Sequence, residues 1–323
     1  MSELALSSPL DLLQGASILQ PADRNPAECY FRSLSRSGSK TMLGKVQRAL
    51  RLIGWTQDVR AFAWQEFRYQ HLSALKTMLS ETGLSPGTIN CTLAALRGIA
   101  RAGFNLGQIS SEDFARLATI KPVHGTTLPA GRALDHGELV ALFRVCAQDP
   151  SPAGHRDAAI LAILYGSGCR RSEIVDLDLS DFDPPTGELK IHGKGSRERL
   201  GYATNGSRDG LSEWLKIRGA EEGALFVPIR KDGRLSIRRM SSMGVYNLLR
   251  KRCRQAGVKA CSPHDFRRTF VGDLLDAGAD ISSVQKLAGH ASVTTTQRYD
   301  RRPEAAKRKA AELLHVPFQS CGS

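Results

Sequence analysis

A single tyrosine, Tyr299, stands in the polar run HASVTTTQRYDRR near the end of the chain, where no apolar pattern calls for a ring. A phenol placed there is either an anchor for the C-terminal tail or a nucleophile. Three segments upstream carry groups that suit phosphate chemistry. In GSGCRRSEIVDL, two glycines end an apolar helix and Arg170 follows at once, with Glu173 one helical turn on. An arginine presented by such a turn can clamp a phosphate with two parallel hydrogen bonds, and a carboxylate three residues away can steady it. In CSPHDFRRTFVGDLL, Ser262 predicts an N-cap, Pro263 the first helical position and Asp265 the closure of a capping box. Phe266, Phe270 and Leu274 form the expected buried stripe, and His264 and Arg267 share another face of the first turns. Free N–H groups and the macrodipole draw anions to that end of a helix. In KIHGKGSRERL, Lys194 tips a tight hairpin, placed to contact phosphate or to donate a proton. His290 follows a helix-ending Ala288-Gly289.

Other chemistries are excluded. A Walker A loop fails around Lys194, because Glu188 stands where its first glycine is needed and Gly195 follows the lysine. The aspartates of DLDLSDFD lack the glycine and terminal glutamate of a calcium loop and read as a solvated turn. No two histidines are close enough for a His-x-His metal site, and the seven scattered cysteines form no Cys-x-x-Cys pair. They read as reduced thiols of a cytoplasmic protein. No apolar run reaches membrane-spanning length, and the acidic N-terminus is unlike a signal peptide.

The elements that must position these groups fall into two domains. The chain has 323 residues and a net charge of +13, with basic residues in excess in both halves, so nucleic acid is the expected partner. After a leader of residues 1–25, helical spacing sets a first domain over 26–122. Met42, Val46, Ala49 and Ile53 share one face, with Lys45 and Arg48 on the other. A second helix is predicted from Trp64 to Ser80, and a third from Ser85 and Pro86 with the stripe Ile89, Leu93, Leu96 and Ala100. Asn90, Arg97 and Arg101 stack beside that stripe, as a DNA-facing row or a solvated face. Residues 123–133 read as a linker rich in proline and glycine. From 134 to 323 helical patterns resume around one hairpin, GELKIH and SRERLGYA flanking Gly193-Lys194-Gly195. The fold class expected is mainly α with a small antiparallel sheet.

Arg170, Lys194, His264, Arg267, His290 and Tyr299, in this order, resemble the active site of the tyrosine recombinases, the phage integrase family. The resemblance covers about 135–315 and, more weakly, 26–120, which is similar to the family's helical core-binding domain. It implies that Tyr299 attacks a DNA phosphate to leave a 3′-phosphotyrosyl link, that Arg170, Arg267 and His290 hold the non-bridging oxygens, that Lys194 protonates the departing 5′-oxygen, and that His264 assists proton transfer at the tyrosine. Glu173 matches an acidic position that steadies these side chains. No metal or nucleotide cofactor is implied. The implied partner is double-stranded DNA with short inverted-repeat core sites, bound by a homotetramer on two sites, with an accessory protein as a further candidate. The tail RRPEAAKRKAAELLHVPF reads as a helix that, by the resemblance, is donated to a neighbouring subunit, the alternative being that it folds back on its own domain. Arg268 stands where many members have His, Cys169 where Leu is frequent, and GYAT where Xer proteins have a Val-Pro run. These departures point to integration or excision of a mobile element, or cointegrate resolution, rather than chromosome-dimer resolution. The competing readings are a non-catalytic architectural DNA-binding protein and a type IB topoisomerase.

Overall fold

The computed structural model describes residues 21–125, 131–193, 198–236, 238–297, 299 and 311–313. Two compact units divide between Pro129 and Ala130. Lys194 with the hairpin tip, most of the leader, residues 126–130 of the linker, and nearly all of the tail helix lie outside the described residues.

The first unit is helical. Asn25 caps α1 (Pro26–Arg32), its side chain accepting from the Glu28 N–H at 3.0 Å. α2 (Arg36–Leu52) buries Val46, Ala49 and Leu50, with Ile53 just beyond it. The helix predicted from Trp64 begins later. Only single 3-10 turns cover Val59–Ala61 and Trp64–Glu66, and α3 runs Tyr69–Glu81. Four aromatic rings explain the delay. Trp55, Phe62, Trp64 and Phe67 pack at centroid distances of 4.7–5.5 Å between successive neighbours, and the Trp64 indole donates to the Val59 carbonyl at 2.7 Å. A continuous helix places residues 62 and 64 on nearly opposite faces, so the backbone turns instead and all four rings are buried. α4 (Pro86–Asn105) starts as its Ser-Pro signal predicts, the Thr88 N–H donating to Ser85 Oγ at 3.3 Å, and α5 (Ser111–Ala118) follows.

The second unit is built on α7 (Pro152–Ser167), whose run Ala159–Leu164 is buried on every side, as an all-round apolar helix must be. α6 (His136–Ala147) and α8 (Arg171–Asp176) flank it, the first opened by an Asp135–Glu138 capping box. An antiparallel sheet of β1 (Phe182–Asp183), β2 (Glu188–His192) and β3 (Glu198–Tyr202) has the order β1-β2-β3, with Ile191 opposite Arg199. α9 (Gly206–Arg218), α10 (Ser242–Ala256), α11 (Pro263–Asp276), α12 (Ile281–Ala288) and the short α13 (Val293–Gln297) complete the unit. The aspartate run is not a freely solvated turn. Asp181 accepts from the His192 ring at 2.9 Å, and Asp178 pairs with Arg239 at 2.5 Å. On α11 the deeply buried residue near the helix end is Leu275; Leu274 is only partly covered. Among the described residues, no helix is long and apolar enough to cross a membrane.

Candidate active site

α7 ends because Gly168 takes the left-handed conformation, φ 59°. A Cβ there would stand 2.3 Å from the Phe270 ring, so the turn needs glycine. It sets Arg170 at the start of α8. Glu173, one turn on, is 3% exposed and accepts three hydrogen bonds: from the Arg170 N–H (2.9 Å), Arg170 Nη1 (2.5 Å) and Arg199 Nη2 (2.9 Å). Burial pushes this carboxyl up, but those donors and the guanidinium charges outweigh it and hold it below the usual carboxylate range.

Three arginines converge on the end of α12. Arg199 Nη1 donates to the Leu287 carbonyl at 2.8 Å, Arg267 Nη2 to that of Ala288, and Arg170 Nη2 to that of Gly289 at 2.9 Å. The last carbonyls of a helix lack intrahelical partners and carry its negative dipole end, so three cations find acceptors there. Arg267 also donates through Nη1 to the Gly168 carbonyl at 2.7 Å, tying the two glycine turns together. Gly289 has φ 64°, and a Cβ on it would lie 2.7 Å from Arg199 Cδ. The carbonyl anchors fix the residue that follows. His290 Nδ1 is 2.9 Å from Oγ1 of buried Thr296, and its carbonyl accepts from Gln285. Nδ1 being engaged, Nε2 is the nitrogen that remains for a ligand.

The Tyr299 ring lies nearly parallel to His290, 17° apart with centroids at 6.0 Å, and packs against the apolar group of Phe270, Val271 and Val284. His264 is exposed in the first turn of α11 and lines a cleft of about 390 Å³ with Arg170, Arg267, Ser262 and Tyr246. Burial, then Arg267, Arg170 and Arg199, drives the His290 ring down to about 4. Partial burial within that cleft, then the charges of Arg268 and Arg267, lowers His264 as well. Arg267 itself falls to about 10, through burial and then the repulsion of Arg170 and Arg199. The site therefore offers neutral imidazoles and three guanidiniums, two of them held against one carboxylate. That arrangement accepts an oxyanion.

Arg170, Glu173, His264, Arg267, His290 and Tyr299 are thus brought to one place; Lys194 lies outside the described residues. Sequence reasoning missed Arg199 and Thr296. The signal for Arg199 was a charged residue at an alternate position of β3, 12% exposed in the fold. The row expected to face DNA in the first unit has other partners. Asn90 spends both ends of its amide on the Val123 backbone, donating at 3.0 Å and accepting at 2.7 Å. Arg97 donates to the Ile120 carbonyl, and the Arg101 guanidinium lies 5.6 Å from the Phe114 ring centroid. These side chains pin α5 and the segment after it to α4. Arg48 is exposed and Lys45 half-buried on α2.

Residues 132–305 match the Phage integrase family. The chain is 34% identical over 244 residues to the tyrosine recombinase XerC of Azotobacter vinelandii, covering 73% of this chain and 77% of the relative. It is 32% identical over 254 residues to the XerC of Corynebacterium efficiens, covering 76% and 79%. Among solved structures it resembles the Tn1549 transposon integrase in complex with a circular intermediate DNA (TM-score 0.63, 16% identity, 90% of this chain and 99% of that one). It also resembles the XerH site-specific recombinase bound to a palindromic difH substrate (TM-score 0.62, 18% identity, 92% and 97%). The fold, the order of the site residues and the sequence likeness agree: the chain belongs to the phage integrase family and is a tyrosine recombinase.

Proposed function

We propose that this enzyme cuts and rejoins double-stranded DNA at short inverted-repeat sites, with Tyr299 as nucleophile. The observation that carries the reading is the convergence of Arg170, Arg267, His264, His290 and the Tyr299 ring at the end of α12. Tyr299 Oη attacks the phosphorus, the DNA 5′-oxygen leaves, and a 3′-phosphotyrosyl bond replaces the phosphodiester. His264, neutral at physiological pH, takes the phenol proton; such acid–base assistance is typically worth about 100- to 10,000-fold. Arg170 and Arg267 meet the charge that grows on the non-bridging oxygens, and His290 Nε2–H donates a further bond. Lys194 supplies the proton to the 5′-oxygen. Glu173 and Arg199 position the two phosphate-facing arginines. The free 5′-hydroxyl of a second strand reverses the step, so the bond energy is kept for rejoining.

The assembly we infer is a homotetramer on two sites in the cytoplasm, joined by the tail helix, with an accessory protein as a candidate further partner. The role we infer is integration, excision or cointegrate resolution for a mobile element. Arg268, where many family members have His, and the GYAT run, where Xer proteins have a Val-Pro run, support that role. The test of the chemistry uses a nicked duplex carrying a site selected from random DNA. The parent should accumulate a covalent adduct, and Tyr299→Phe should bind the site without forming one. An adduct in Tyr299→Phe would overturn the assignment. Relaxation of supercoiled plasmids that lack such a site would favour a type IB topoisomerase.

A further inference from the structure

Arg268 follows Arg267 on α11, and the turn of the helix sends the two side chains different ways. Arg267 points inward to the carbonyls of Gly168 and Ala288. Arg268 is half-buried, and its guanidinium carbon lies 5.4 Å from the centroid of the Tyr299 ring. That is within the range in which a cation is held by the negative face of an aromatic ring. The same ring is flanked by the near-parallel imidazole of His290 at 6.0 Å. The tyrosine thus sits beside one group that meets the phosphate and one cation that has no phosphate role in the mechanism above.

Besides these two groups, the ring packs against the apolar group of Phe270, Val271 and Val284. α13 is only five residues long, and the Tyr299 N–H donates to the Thr296 carbonyl at 2.9 Å in a single turn. A ring two residues beyond so short an element takes its orientation from the groups it touches, and Arg268 is one of them. Resting on the reading of Tyr299 as nucleophile, we propose that Arg268 is a positioning residue, its guanidinium holding the Tyr299 ring beside His290 in the attitude from which the phenol reaches the phosphorus. Arg268 also stands one helical turn beyond His264, at the i, i+4 spacing that makes helix neighbours. Its charge is the first among the neighbouring charges that lower His264. One side chain therefore borders both the nucleophile and the group that takes its proton. A histidine at this position has a shorter reach and no charge when neutral, so the arginine makes a contact that the commoner residue cannot reproduce in the same way.

The experiment separates charge over the ring from packing and from DNA contact. Arg268→Gln, Arg268→Lys and the parent are compared for dissociation constant on the selected site and for single-turnover adduct formation on the nicked duplex. Arg268→Gln should bind DNA within about twofold of the parent and form adduct roughly three- to thirty-fold more slowly, the range expected for one cation–π contact. Arg268→Lys, which keeps the cation, should recover most of the rate. Adduct formation in Arg268→Gln at or above the parental rate would overturn the proposal. So would equal losses in the Lys and Gln variants, or a loss fully accounted for by weaker DNA binding. Tyr299→Phe is run alongside: adduct in that variant, or none in the parent, refutes the nucleophile assignment itself and is distinguishable from any of these outcomes.

Discussion

Glu173→Ala should cost stability and catalysis together, in a pH-dependent way. The carboxylate is 3% exposed and joins two cations of different character. The Arg170 side chain is 44% exposed, so solvent screens that pair and its direct contribution is small, about 0–1 kcal/mol. The Arg199 side chain is 12% exposed, and removing its partner leaves a largely buried charge, which typically costs about 3–5 kcal/mol. Arg199 keeps its bond to the Leu287 carbonyl, so the low end, about 3 kcal/mol, applies. For a unit of this size that corresponds to a fall in Tm of about 6–12 °C, read on the catalytic unit's transition by calorimetry at pH 7. Glu173 is held below its ordinary 4.5, so the folded state binds the proton less readily than the unfolded one. The stabilisation is then fully present above pH 4.5 and is lost as pH falls through the lowered folded value. The Tm gap between parent and variant should therefore close on acidification below that point. Adduct formation should drop by about 100- to 1,000-fold, the usual cost of misplacing one oxyanion donor. A Tm within about 2 °C of the parent, or a gap as wide at pH 3.5 as at pH 7, would refute the reasoning.

The remaining predictions concern the neighbours. Gly289→Ala should slow adduct formation at least tenfold, because its Cβ displaces Arg199 and a left-handed non-glycine residue costs about 1–2 kcal/mol; parental single-turnover kinetics would contradict this. His290 is lowered to about 4 from 6.5, so the unfolded chain binds more protons between those values and stability falls as pH drops through that window. His290→Gln should flatten the midpoint of urea denaturation between pH 6.5 and 4, and an unchanged slope would count against it. Lys194→Ala should slow cleavage of ordinary DNA and be rescued when the 5′-bridging oxygen is sulfur, since a thiolate leaves without a proton; no rescue would make Lys194 a phosphate contact.

Local signals carried much of the site into the sequence. Gly168 and Gly289 mark turns that only glycine fits, and the Ser262–Asp265 capping box marks the start of α11, so Arg170, His290 and His264 could be placed by punctuation alone. Arg199 could not. Its neighbours in sequence define a strand, but its partners are Glu173 on α8 and Leu287 on α12. Alternation says that it faces one side of the sheet and nothing about which helix comes to lie there. Trp64 misled for a related reason: helical spacing could be started from it, and burial of four rings delayed the helix to Tyr69. Asn90, Arg97 and Arg101 are polar residues beside an apolar stripe, a pattern that a DNA-facing row and an intradomain clamp share. Asn90 and Arg97 bind the backbone of Val123 and Ile120, 33 and 23 residues away, contacts that spacing along one helix does not announce.

The three arginines solve a problem that their own charges create. Arg170, Arg199 and Arg267 repel one another, and that repulsion adds to burial in bringing Arg267 down to about 10. A carboxylate for each would quench the site and leave no attraction for DNA phosphate. Here one carboxylate, Glu173, serves Arg170 and Arg199, and the carbonyls of Leu287, Ala288 and Gly289 serve one arginine each. A carbonyl satisfies a guanidinium's hydrogen bonds while cancelling little of its charge. The cluster is thereby rigid before DNA arrives, and its excess positive charge remains for the substrate. An oxyanion that develops beside it meets donors already oriented, with no reorganisation during the reaction. His290 follows the third of these carbonyls in the chain, so the bonds that hold the arginines also hold the imidazole. Tyr299 lies nine positions further on, with its ring already against that imidazole. In the mechanism we propose, the end of α12 is therefore the part of the fold on which phosphate binding and nucleophile placement would both depend.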